Sequence, residues 1–191
     1  MTYADVLRPS AKRYALTYDA ALVLGGSVAM ALSAQLAIPL PFSPVPVTGQ
    51  TFAVLLIGAL LGSRRGALCL LAYLAEGAAG LPVFAGGTGG LLHLTGPTGG
   101  YLVGFVVAAL VTGFLAERGW DRRFWTTIAA MLLGNIAIYA YGLPWLAFFV
   151  GAGKALPLGL KPFIAGDIYK LLLAAVLLPS GWKVLGHIKH R

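Results

Sequence analysis

Residues 99–116 read GGYLVGFVVAALVTGFLA, eighteen positions without a charged side chain and with Thr112 and Tyr101 as their only strongly polar groups. At 1.5 Å per residue such a run rises about 27 Å as a helix, close to the ~30 Å hydrocarbon thickness of a bilayer. Glu117-Arg118-Gly119-Trp120-Asp121-Arg122-Arg123 follows at once, and a second apolar run then extends from Phe124 to Val150. Two long apolar runs joined by a short basic connector are the pattern of a helical hairpin across a membrane.

The composition of the whole chain agrees with that reading. Of 191 residues, 59% are hydrophobic and only 10% charged, and the mean hydropathy is +0.84. A water-soluble domain carries about 25% charged residues, so this chain has too few to cover a water-facing surface. A soluble enzyme, a disordered tail and a fibrous protein are excluded together. Its 26 Gly and 11 Pro suit membrane helices, where both are enriched.

Six spans are expected: Ala20 to Ile38, Val47 to Gly62, Gly66 to Gly80 continuing toward Phe84, Gly99 to Ala116, Phe124 to Val150 with an interruption at Gly142-Leu143-Pro144, and Pro162 to Pro179. This makes an all-α integral membrane fold, with a cytoplasmic segment 1–19, a transmembrane domain 20–180 and a basic tail 181–191. With the N-terminus inside, the cytoplasmic segments hold Arg8, Lys12, Arg13, Arg64, Arg65, Arg118, Arg122, Arg123, Lys183, Lys189 and Arg191. The outer loops hold Lys154 and Lys161 alone. That asymmetry places both termini in the cytoplasm. Residues 1–19 are too polar for a signal-peptide core, and the first span is too long for one. The net charge of +8 lies in short clusters between apolar runs, without the basic stripe that nucleic acid requires. The outer loops (39–46, 81–99 and 151–161) are uncharged or nearly so and rich in Pro and Gly, which suits segments folded over the bundle.

An ionisable side chain in hydrocarbon costs about 2.5–3.5 kcal/mol or more, so each one needs a reason. Glu76, Asp167 and Lys170 are the three within expected spans. Asp167 and Lys170, at i and i+3, share a helix face. Together they offer an acceptor for ligand N–H groups and a donor for a ligand carboxylate; alternatively they satisfy each other as a structural pair. The first span repeats a small residue every four positions at Ala21, Gly25, Ala29, Ser33 and Ala37, which makes a groove for a neighbouring helix.

Enzymatic chemistry is not spelled out. Gly153-Lys154 lacks the first Gly of a phosphate-binding loop, since Phe148 stands there. In Gly86-Gly87-Thr88-Gly89-Gly90 the next required Gly is Leu92. His93 reads as a loop residue, His187 and His190 belong to the tail, and Cys69 is a packing residue within an apolar run. No cofactor and no metal are expected.

Several stretches together resemble a known family. Ile38-Pro39-Leu40-Pro41-Phe42-Ser43-Pro44-Val45-Pro46-Val47-Thr48-Gly49-Gln50 is one, and Gly80-Leu81-Pro82-Val83-Phe84-Ala85-Gly86-Gly87 another. Gly96-Pro97-Thr98-Gly99-Gly100-Tyr101-Leu102 and Pro162-Phe163-Ile164-Ala165-Gly166-Asp167-Ile168-Tyr169-Lys170 complete the set. In this order and spacing they resemble the BioY family, the biotin-specific substrate-binding (S) components of energy-coupling factor transporters. The resemblance implies a six-helix protein of the cell (inner) membrane that takes biotin from outside. It also implies a partner module, a transmembrane coupling protein with two ATPases. It maps biotin contacts onto Asp167 and Lys170, with Phe42, Phe84 and Tyr101 against the rings and Glu76, Thr88 or Asn135 as further polar candidates. It likens the small-residue face of the first span to the surface that docks on the coupling protein. An S component for another vitamin, or a structural bundle without ligand, remain the alternatives.

Overall fold

The computed structural model describes residues 1–189. His190 and Arg191 of the expected basic tail lie outside the described residues, as do the side chains of Lys12, His187, Ile188 and Lys189. The chain is mostly helical: α1 (Tyr3–Val6), α2 (Lys12–Gln35), β1 (Ala37–Leu40), β2 (Ser43–Thr48), α3 (Gln50–Leu61), α4 (Ser63–Ala78), α5 (Leu91–Leu94), α6 (Gly99–Glu117), α7 (Phe124–Val150), α8 (Ala152–Gly159) and α9 (Ile164–Lys189). A 3-10 turn, Trp120–Arg122, joins α6 to α7.

Among these, α2, α6, α7 and α9 are long and apolar enough to cross a membrane. The remaining two expected spans are shorter helices. α3 has 12 residues and α4 has 16, so α3 rises only about 18 Å. The chain turns from α3 into α4 at Gly62, whose φ of +88° favours glycine. A Cβ there would also meet Glu117 Oε1 at 2.8 Å. That carboxylate accepts the Ser63 N–H at 2.7 Å and so caps the first turn of α4.

α6 occupies the centre of the bundle, against α3, α4 and α7. Its small residues make this possible: Ala108, Ala109 and Thr112 are buried, and Gly58 of α3 comes so close that a Cβ would stand 2.6 Å from the Ala109 carbonyl oxygen. Without a hydrophobic drive between helices in lipid, such close backbone approach is what holds a bundle together. At the end of α6 away from its N-terminus, polar ties join distant parts of the chain. Arg65 bonds Asp5 at 2.7 Å and Asp19 at 2.8 Å. The Trp182 indole donates to buried Asp121 at 2.5 Å and packs on Tyr3 with ring centres 4.4 Å apart. Burial raises the Asp121 carboxyl above the usual carboxylate range.

Several elements depart from the expected pattern. First, the proline-rich segment after the first span is an antiparallel hairpin, with Ala37 opposite Thr48, Ile38 opposite Val47 and Leu40 opposite Ser43. Proline excludes a helix here but is accepted in a two-stranded ribbon, where each strand keeps a free edge. The hairpin takes Ala37 and Ile38 out of the first span, and α2 instead starts earlier, at Lys12. Second, α7 runs unbroken through Gly142-Leu143-Pro144, with Pro144 inside the helix. Neighbouring packing holds the helix together there: Gly142 lies directly against the Tyr101 ring. Third, α9 continues past Pro179, and the segment after Val150 is helical as α8.

Candidate ligand-binding site

The start of α9 supplies the two ionisable groups singled out from the sequence. Asp167 is 6% exposed, and its Oδ1 lies 3.7 Å from Lys170 Nζ. Asp167 Oδ2 accepts a hydrogen bond from the Tyr139 hydroxyl of α7. Lys170 Nζ reaches across the bundle and donates to the Thr48 carbonyl oxygen at 3.0 Å and to Thr51 Oγ1 at 2.7 Å. Two of the ammonium's three donors are thereby fixed on β2 and the first turn of α3. The pair is therefore part of a cluster that draws on four elements, rather than an isolated bridge along one helix.

Beside this cluster lies a cavity of about 280 Å³, near the lower end of the range for small-molecule sites. The hairpin contributes Pro44, Val45 and Pro46, and α3 contributes Gln50 and Thr51. Tyr101 and Phe105 come from α6, Ile138 and Tyr139 from α7, and Lys170 from α9 with Phe163 just before it. The segment between α4 and α6 adds Ala85, Leu92, His93 and Thr98. The wall is chiefly apolar and aromatic, with a few convergent polar groups. The buried Gln50 amide donates to the Tyr73 hydroxyl at 2.8 Å, and that hydroxyl donates to the Val83 carbonyl at 3.2 Å. The Tyr101 hydroxyl donates to the Gly159 carbonyl at 2.9 Å, joining α6 to α8. Ser43 Oγ donates to the Leu158 carbonyl at 2.9 Å, tying the hairpin to α8.

Of the residues named from sequence, Lys170 and Tyr101 line the cavity. Asp167 sits behind that lining and touches two members of it, Tyr139 and Lys170. Phe84 is wholly buried and acts as a support: it stacks on the His93 ring at 5.0 Å and meets Tyr73 edge-on at 5.4 Å. Thr88 lies beside the same imidazole, its Oγ1 3.1 Å from His93 Nδ1. Burial lowers the His93 pKa below its ordinary 6.5, which favours the neutral ring at neutral pH.

Three others are elsewhere. Glu76 turns toward α2, with its carboxylate oxygens 2.6 and 2.5 Å from Ser27 Oγ. Asn135 is buried in α7 outside the cavity wall, and its Oδ1 has no hydrogen-bond partner among the described residues. Phe42 stands at the hairpin tip, 58% exposed. On α2, Ala21, Gly25 and Ala29 face outward and Ser33 is half-buried, whereas Ala37 belongs to β1. Among the described residues, no group of three or more His, Cys, Asp or Glu is placed to hold a metal ion.

Tyr139, Thr51, Gln50, His93 and Phe105 were not singled out from sequence. Tyr139 carried a faint signal, as one of two phenolic hydroxyls, with Tyr141, in a mostly apolar run. Thr48-Gly49-Gln50 stood in a quoted motif, but nothing in the spacing aims those side chains at Lys170.

Known proteins share both sequence and architecture with this chain. Residues 7–187 match the model of the BioY family. A biotin transporter BioY from Rhizobium etli is 41% identical over 163 residues, covering 81% of this chain and 87% of that protein. A probable biotin transporter BioY from Pyrococcus horikoshii is 44% identical over 140 residues, covering 73% and 82% respectively. The crystal structure of the S-component for biotin from an ECF-type ABC transporter superposes with a TM-score of 0.79 at 27% identity, covering 92% of this chain and 95% of that one. The match spans α2 to α9 and takes in every element that walls the cavity, so the chain belongs to the BioY family.

Proposed function

We propose that this protein is the biotin-capturing component of an energy-coupled transporter of the cell (inner) membrane, and that it is not itself an enzyme. The observation that carries the reading is the meeting of Asp167, Lys170 and Tyr139 at the wall of an apolar cavity, in a chain of the BioY family. Biotin is a compact bicycle with a ureido group and a valerate tail. Its carboxylate finds a cation in Lys170 and its rings an aromatic wall at Tyr101, and its ureido N–H groups reach the acceptor Asp167, which lies behind the lining, by entering between Tyr139 and Lys170. Phe84 and Thr88 serve the site through His93.

The same reading has six membrane crossings, with α3 and α4 as the short pair, and both termini in the cytoplasm. Segment 1–19 and tail 181–191 then flank the transmembrane domain 20–180. The excess of cations in the segments assigned to the cytoplasm supports this orientation. A coupling module, a transmembrane protein with two ATPases, drives uptake, since this chain carries no phosphate-binding loop of its own. The outward small face at Ala21, Gly25 and Ala29 is the surface that meets it.

Equilibrium binding of radiolabelled biotin to the purified protein tests the proposal. The wild type binds saturably, and Asp167→Asn and Lys170→Ala each weaken binding by about tenfold or more, the loss of one charge-assisted hydrogen bond. No binding by the wild type refutes the function. Undiminished binding by both variants refutes the site.

A further inference from the structure

A second concavity lies on the outside of the bundle. It measures about 430 Å³, opens outward, and is lined by Ile136, Tyr139, Ala140, Leu143 and Pro144 of α7 together with Leu160. The five α7 positions fall at i, i+3, i+4, i+7 and i+8, which is one continuous stripe along a helix. A stripe of this kind ordinarily packs against the core. Here Ile136 remains 53% exposed, and Ala140 and Pro144 are exposed as well. The stripe extends about 12 Å along α7, close to the ~15 Å that one leaflet contributes to the hydrocarbon core. Leu160 closes the groove at the link between α8 and α9, and the next residue, Lys161, is exposed. Lys161 is one of only two cations between residues 124 and 169, the other being Lys154.

We propose that this groove binds one acyl chain of an anionic phospholipid of the outer leaflet, with Lys161 taking the phosphate. The assignment to the outer leaflet rests on the orientation proposed above. Lipid tails are as apolar as the groove, so filling it gains dispersion contact but little hydrophobic energy. Discrimination between lipids therefore falls to the headgroup, and a single lysine near the surface favours an anionic one about fivefold.

The groove and the ligand cavity share a wall. Tyr139 lines both, and its hydroxyl holds the Asp167 carboxylate. An acyl chain against the outer side of the ring restricts its rotation and keeps that hydroxyl on Asp167. Lipid occupancy in this way stabilises the ligand-competent arrangement of the cavity.

Native mass spectrometry of the delipidated full-length protein, titrated with phosphatidylglycerol or phosphatidylcholine, provides the test. The wild type retains phosphatidylglycerol about fivefold better than phosphatidylcholine, and Lys161→Gln removes the preference while keeping the adduct. Leu143→Trp fills the groove and loses both adducts, as does Ile136→Trp at the far end, where the exposed position tolerates a larger ring. Biotin titrated into the same samples binds the wild type more tightly with phosphatidylglycerol than without, and Ile136→Trp shows no such gain. Equal lipid retention by all four proteins overturns the proposal. So does biotin affinity indifferent to lipid in the wild type. If no sample binds biotin at all, the functional reading fails, whereas the adduct pattern still decides the lipid site.

Discussion

Tyr139→Phe isolates the least expected member of the cavity wall. The substitution deletes one oxygen atom and leaves the ring, so the edge-on contact with Tyr101 at 6.2 Å and the shape of the cavity persist. What is lost is the donor to Asp167 Oδ2. A hydrogen bond to a charged group contributes about 1.5–3 kcal/mol. Asp167 is 6% exposed, so water cannot readily replace the missing hydroxyl. Lys170 still faces the other oxygen at 3.7 Å and retains part of the carboxylate's orientation. About half of the hydrogen-bond contribution therefore disappears from binding, close to 1.1 kcal/mol, or about a sixfold weaker biotin affinity.

The informative measurement is a double-mutant cycle by isothermal titration calorimetry, with Tyr139→Phe, Asp167→Asn and both together. If the hydroxyl acts through the carboxylate, its removal matters little once Asp167 is already changed, and the coupling energy equals the single-mutant loss, about 1 kcal/mol. Additive effects to within ~0.5 kcal/mol would refute the reasoning, as would a Tyr139→Phe affinity equal to wild type.

The other predictions concern support, titration and membership of the site. Gly77→Ala drives a methyl into the Phe84 ring, which is wholly buried against Tyr73 and His93; melting followed by intrinsic fluorescence shows about 1–3 kcal/mol of destabilisation. Phe84→Leu combined with it restores part of the loss. His93 has a folded pKa below 6.5 because it is buried, so the unfolded chain binds more protons in acid and stability falls as pH drops below 6.5. Thermal melts across that range show a slope that His93→Gln removes, and an unchanged slope argues against a buried neutral imidazole. Glu76→Gln and Asn135→Ala, whose side chains lie off the cavity wall, leave biotin affinity within about twofold of wild type, as expected for sites that share no partner with the ligand. A larger loss in either would return that residue to the site.

Much of the architecture is legible in the sequence because the solvent is lipid. Hydrocarbon admits few backbone arrangements and few charges, so runs such as 99–116 and 124–150 declare themselves as helices. Proline is the weaker guide. Gly142-Leu143-Pro144 reads as a break, yet Tyr101 packs on Gly142 and the helix continues. Pro39, Pro44 and Pro46 do stop the helix, but the hairpin they form depends on pairing across the turn between Leu40 and Ser43. The short α3 is similar: its 12 residues sit in a longer apolar stretch, and the corner at Gly62 is fixed by Glu117, more than fifty positions away.

By itself the sequence determined the membrane class, the helical runs and the prominence of Asp167 and Lys170, because burying charge in hydrocarbon is costly whatever the fold. The tertiary structure alone decided which groups surround them. Helical periodicity says which residues share a face, but not how that face is turned toward its neighbours. That rotation sends Glu76 to Ser27 and away from the cavity, and brings Thr51 and the Thr48 carbonyl to Lys170. It also aims the Tyr139 hydroxyl at Asp167. Neutral hydroxyls and backbone carbonyls of this kind leave almost no trace in composition, and their role arises only from where packing puts them.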